Sequence, residues 1–197
     1  GLGMMDCKNA LVETDGDLEK AIDLLRKKGM KTAAKRSGRE TNQGWQGLAL
    51  SDDGHVGALV DLACETDFVA KSDEFKTLLG KLTAHALATK PTSVEEMLAQ
   101  PIEGGTTVAE ELQSAVGRIG EKIELRNVAA FETDDHGALG SYVHFNGSVG
   151  VIVKGTVDGD VADPAALVDL LGRVAKHVAA AQPIVVAAED LPTDLVE

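Results

Sequence analysis

Along the chain the spacing of apolar residues changes from helical to alternating and back again, and these changes mark the elements. Asp17 opens a run in which Leu18, Ala21, Ile22, Leu24 and Leu25 form one helical stripe, and Arg26-Lys27-Lys28 suit its C-terminal end before Gly29. A shorter helix before it, reaching Leu11, joins it through Thr14-Asp15-Gly16. Two such helices bury too little surface to stand alone, so a helical module here is expected to begin before Gly1. Lys31 to Gln43 has little periodicity and reads as a solvated helix or connector. From Gly44 the period becomes that of strands: Trp45 to Leu50, then Asp53-Gly54, then Val56 to Cys64, which predicts a hairpin. A helix over Ser72 to about Ala88 places Phe75, Leu78, Leu79, Leu82 and Ala86 on one face, with Pro91 beyond its end. Thr92-x-x-Glu95 and Thr107-x-x-Glu110 have the form of capping boxes for two further helices, separated by Gly104-Gly105. The second of these helices carries Val108, Leu112, Val116 and Ile119. A strand over Lys122 to Glu132 follows, with Ile123, Leu125, Ala129 and Phe131 alternating.

The last third repeats the middle. Asn146-Gly147 precedes Gly150 much as Asp53-Gly54 precedes Gly57, and both turns join apolar strands. Leu167, Leu170, Leu171, Val174, His177, Val178 and Pro183 then match Phe75, Leu78, Leu79, Leu82, His85, Ala86 and Pro91 at a fixed offset. Asp163-Pro164 supplies the second helix with an N-cap and an N1 proline. Two hairpin-plus-helix units predict an α+β fold, antiparallel sheet covered by helices. The expected divisions are a partial helical module over 1–30, a linker over 31–43, a first repeat over 44–137 and a second over 138–197. The copies differ at one place: Thr66-Asp67-Phe68-Val69 in the first stands where the second has Gly159-Asp160-Val161-Ala162. A residue the scaffold required would recur in both, so Phe68 points to contact with a partner.

Composition narrows the function. The net charge is −13, but residues 1–43 hold nine Lys/Arg against seven Asp/Glu, and the remainder ten against twenty-five. An acidic body repels phosphate backbones, which argues against nucleic acid and for a protein or small molecule. No apolar run is long enough to span a bilayer, and Cys7 and Cys64 stand without C-x-x-C spacing, a usage that suits a reducing cytoplasm. No phosphate-binding glycine motif occurs, so no nucleotide bound directly is expected; no metal and no cofactor is expected either. His85 and His177 fall on the apolar faces of the matched helices and read as core histidines rather than metal ligands. An enzyme reading would pair Cys64 as nucleophile with His85 as base and Asp67 as orienter, but nothing local fixes that geometry.

Four stretches together resemble one family: Gly3-Met4-Met5-Asp6-Cys7-Lys8-Asn9-Ala10-Leu11, Cys64-Glu65-Thr66-Asp67-Phe68-Val69-Ala70-Lys71, Ile119-Gly120-Glu121-Lys122-Ile123 and His177-Val178-Ala179-Ala180. In order and across nearly the whole chain, they are similar to bacterial elongation factor Ts. The resemblance implies a guanine nucleotide exchange factor for elongation factor Tu, with a helical, ubiquitin-associated-like first module and a core of two similar subdomains. It implies that Phe68 wedges between side chains of the partner's G domain near its magnesium site, with Thr66, Asp67 and Val69 forming the rest of that motif. It further implies that Ile119, Gly120 and His144 belong to a second part of the contact surface, and that Met4 and Met5 meet a G-domain helix. For Met4 and Met5 ordinary helical packing is the competing reading, and for Phe68 a core position closing the strand-to-helix corner. Leu2 departs from the alanine usual in the family. Relative to the long family form the chain is expected to be incomplete at both ends, continuing beyond Leu195-Val196-Glu197. The alternative function is therefore a passive adaptor that binds elongation factor Tu without accelerating exchange.

Overall fold

The computed structural model describes residues 3–195, so Leu2, Val196 and Glu197 lie outside the described residues. Two helices come first, α1 (Met4–Glu13) and α2 (Leu18–Arg36). Asp17 caps α2 as the sequence predicts, its carboxylate accepting the Lys20 backbone N–H at 3.1 Å.

The core follows as β1 (Gln43–Leu50), β2 (Val56–Cys64), α3 (Asp67–Ala70), α4 (Asp73–Thr89), α5 (Val94–Ala99), β3 (Pro101–Ile102), β4 (Thr106–Thr107), α6 (Val108–Ile119) and β5 (Ile123–Glu132). Strands β1, β2 and β5 form an antiparallel sheet in that order, with β2 in the centre. Alternate β2 residues Ala58, Val60, Leu62 and Cys64 are buried in one core with Phe75, Leu78, Leu79, Leu82 and Ala86 of α4 and Val108, Leu112 and Val116 of α6. The predicted α4 face is the observed one, and Ser72 caps the helix.

Three local expectations change. The alternation predicted for β5 breaks, because the register shifts between Asp61 and Leu62: Leu62 pairs with Leu125 but Asp61 with Asn127, leaving Arg126 as the extra residue. Val128 therefore takes the buried position after Leu125, and Phe131 is exposed. The cap of α5 is Ser93 rather than Thr92: the Ser93 hydroxyl accepts the Glu96 N–H, while Glu96 accepts the N–H and hydroxyl of Thr92. At α6 the predicted box is present, with Thr107 and Glu110 satisfying each other. Finally, α2 does not stop at Gly29. It runs on to Arg36 because α2 packs on α6, where Gly29 is buried and faces Gly117. A Cβ on Gly117 would lie 2.8 Å from the Gly29 Cα, so this crossing depends on the missing side chain of Gly117.

The second unit is β6 (Gly137–Val143), β7 (Gly150–Thr156) and α7 (Pro164–Ala181), followed by two short 3-10 turns. Strands β6 and β7 pair antiparallel through the Asn146-Gly147 turn, and Asp163 caps α7 with Pro164 in its first turn. Helices α4 and α7 also end alike, on a left-handed residue, Lys90 at φ 49° and Gln182 at φ 48°, each ahead of the matched proline. The copies differ in cover. On α7 only Leu171 and Ala175 are buried, while Leu170 and Val174, matched to buried α4 positions, are exposed. His177 is exposed rather than in a core, and His85 is half-buried against Gln100 at 2.9 Å. The reason is that α5 and α6 close over the first helix and the described residues supply no counterpart over α7. The fold is α+β, as the pattern predicts.

Candidate functional site

At the end of β2 the chain turns through Glu65 and Thr66 into the single helical turn α3. Thr66 is its N-cap, and Ser72 immediately caps α4. Within α3, Ala70 is buried and Val69 packs on the core, which leaves Phe68 pointing away: it is 83% exposed. Phe68 does not close the strand-to-helix corner. Asp67 is half-exposed and accepts a 2.8 Å bond from the Lys71 ammonium, which holds its carboxyl below the usual range.

Two carboxylates fix this turn. Glu121 accepts both the Thr66 backbone N–H, at 3.0 Å, and the Thr66 hydroxyl, at 2.7 Å. Glu121 directly follows Ile119 and Gly120, where α6 ends on a left-handed glycine at φ 83°. The structure thus brings Thr66 to Val69 together with Ile119 and Gly120. Glu65 accepts the Lys122 backbone N–H at 2.7 Å and the guanidinium groups of Arg36 and Arg39 at 2.9 and 3.0 Å. Burial alone would raise the Glu65 pKa, but these bonds outweigh it and hold the group ionised below the ordinary range. Charge-assisted bonds contribute about 1.5–3 kcal/mol where shielded from water and about 0–1 kcal/mol where exposed, as at Arg39, and together they make the Phe68 turn a held feature and not a loose loop.

His144 begins the β6–β7 turn, where its Nδ1 lies 2.8 Å from the Tyr142 hydroxyl. That turn rests on β1: the Gln46 N–H donates to the Gly147 carbonyl at 2.8 Å, and Gly147 lies against the Trp45 indole. Met4 and Met5 are exposed on α1, at 86% and 63%, and are not packed in the interior. Met4 and Met5 sit on α1, which packs on α2, and α2 in turn reaches the Phe68 turn by its Arg36 pin to Glu65 and by its packing on α6.

A sequence model of the family described as "Elongation factor TS" matches residues 65–197, beginning at Glu65. The chain belongs to the elongation factor TS family. It is 42% identical over 200 residues to "Elongation factor Ts" of Trichlorobacter lovleyi, a match that covers 100% of this chain and 64% of that relative. The chain thus spans about 64% of the length of the curated relative it matches.

For this elongation factor TS chain the alternative chemistry finds no support in the geometry. Cys64 is buried, its thiol donates to the Thr66 carbonyl at 3.2 Å, and burial, then the nearby Glu121 charge, push its pKa up to about 11. His85 bonds Gln100 and Asp67 bonds Lys71, so the three residues of the nucleophile reading have other partners. Among the described residues no cluster of His, Cys, Asp and Glu is arranged to hold a metal, and no helix is long and apolar enough to cross a membrane. Three residues of the site were not read from the sequence. Glu65 and Glu121 were visible within the matched stretches, but periodicity cannot show a side chain reaching 55 residues along the chain. Phe145, 86% exposed beside His144, could have been noticed as an aromatic next to an Asn-Gly turn.

Proposed function

We propose that this chain is an exchange factor that binds elongation factor Tu and promotes GDP release, without making or breaking bonds itself, during translation elongation in the cytoplasm. The observation that carries the reading is Phe68: an aromatic 83% exposed at the tip of a turn clamped by Glu121 and Glu65. An exchange factor binds the nucleotide-free partner better than the nucleotide-bound one, and linkage makes the antagonism reciprocal. Each tenfold weakening of nucleotide requires about 1.4 kcal/mol of differential contact. Mg²⁺ tolerates little departure from octahedral geometry, so a rigid wedge that displaces the loops around it loosens metal and diphosphate together. Phenylalanine suits this role because it buries a large rigid area with few rotamers to lose.

In this reading Phe68 enters the partner's G domain near its magnesium site, with Thr66, Asp67 and Val69 shaping the turn. Ile119, Gly120 and His144 hold the partner in register, on the G domain and a second domain, and Met4 and Met5 meet a G-domain helix. The uncovered face of α7 favours a second reading, a passive adaptor that binds without accelerating release. Release of a fluorescent GDP analogue from elongation factor Tu, with this chain and with Phe68→Ala, separates them. Exchange activity predicts acceleration by the wild type and a loss on Phe68→Ala of about thirtyfold, the scale of an aromatic hot spot. Binding without acceleration would leave the adaptor, and an undiminished Phe68→Ala would remove the wedge.

A further inference from the structure

Aromatic residues make up only 3% of this chain, yet a second phenylalanine stands in solvent beside Phe68 in prominence: Phe145, at 86%. The turn that carries it does not need it, because Asn146-Gly147 supplies the conformation, with Gly147 at φ 71°. Nor is the turn loose. The His144 N–H donates to the Val149 carbonyl at 2.9 Å, the Gly147 N–H to the His144 carbonyl at 2.8 Å, and Asn146 accepts the Ser148 N–H and hydroxyl. The Phe145 ring leans on the His144 ring, centroids 4.4 Å apart, and His144 is in turn held by Tyr142. An aromatic fixed in this way loses little freedom when a partner covers it.

Its position relates it to Phe68. Gly147, two residues on, lies against the indole of Trp45, near the start of β1. The Lys76 ammonium, from the first turns of α4, sits over the same indole at 4.9 Å, and α3, which carries Phe68, also packs against β1. The turn that carries Phe145 and the helical turn that carries Phe68 therefore both pack on one strand, β1. We propose that Phe145 is a second aromatic anchor for the partner that Phe68 enters, seated in an apolar cleft on that protein's surface, and that it governs affinity and choice of partner more than nucleotide release. The inference rests on the exchange-factor reading.

The test is binding and GDP release with elongation factor Tu for wild type, Phe145→Ala, Phe145→Leu and Phe68→Ala. Phe145→Ala should raise Kd and the half-maximal concentration by about tenfold or more, the range of interface hot spots, with Phe145→Leu between it and wild type. Its plateau release rate should fall far less than that of Phe68→Ala. Wild-type Kd in Phe145→Ala, with the wild-type chain active, overturns this proposal alone. A wild type that neither binds nor accelerates overturns the exchange reading and this with it. Self-association of the free chain that Phe145→Ala abolishes, seen by sedimentation with Kd for elongation factor Tu unchanged, would assign the ring to a second copy and also overturn it.

Discussion

Phe68, Cys64 and Glu121 lie within one corner and respond to it in different ways. Phe68 has almost no interior contact, so Phe68→Ala should leave stability within about 0.5 kcal/mol of wild type in urea unfolding, whatever it does to exchange. A large loss of stability would mean that the ring closes the corner after all. Cys64 should resist iodoacetamide in the native protein at pH 8 and react on unfolding, since burial keeps its thiol near a pKa of about 11. Rapid native labelling, followed by mass spectrometry, would contradict that environment. Glu121→Ala should remove the two acceptors of Thr66 and lower stimulated GDP release, although Glu121 is not proposed to touch the partner. Phe68 was legible because the two copies of the scaffold could be compared and only one carried an aromatic. Glu121 was not, because its role depends on which turn the fold places beside it.

At the scale of elements, the sequence was most readable where a local rule had no competitor. Thr107 and Glu110 form their box with no rival, whereas at Thr92 the adjacent Ser93 and Glu96 have the same three-residue spacing and take the cap. The bulge at Arg126 reversed the phase of β5, and only the pairing with β2 reveals it. The helix runs through Gly29 because glycine also serves close packing, a use that depends on the neighbouring helix. The crossing of α2 on α6 gives an asymmetric prediction. Gly117→Ala should destabilise by about 1–3 kcal/mol, because its Cβ would meet the Gly29 backbone at 2.8 Å. Gly29→Ala meets nothing closer than 3.7 Å and should be neutral, or stabilising by up to about 1 kcal/mol through helix propensity. Chemical unfolding of the two variants checks both signs, and equal losses would mean that the crossing is not as tight as described.

Across the whole molecule, Glu65 joins the end of α2, the Phe68 turn and the start of β5. Its folded pKa is depressed, so its contribution to stability is fully present above the ordinary glutamate value of 4.5 and is lost as pH falls through the folded value. The urea midpoint should therefore fall on acidification below about pH 4.5, and less steeply in Glu65→Gln, which keeps an acceptor but cannot titrate. A Glu65→Gln profile parallel to wild type would remove Glu65 from the acid limb. The pin at Glu65 also gives α2 a mechanical role. Nineteen helical residues span about 28 Å, and with one end held at Glu65 and the middle seated on α6 the helix acts as a spacer of fixed length and phase. If Met4 and Met5 grip the same partner as Phe68, the two grips form a bivalent clamp whose second contact closes at a high effective concentration. One residue inserted after Leu24, ahead of the α6 seat at Gly29, would turn α1 by about 100° relative to the Phe68 turn. Each grip would survive alone, but the clamp would no longer close.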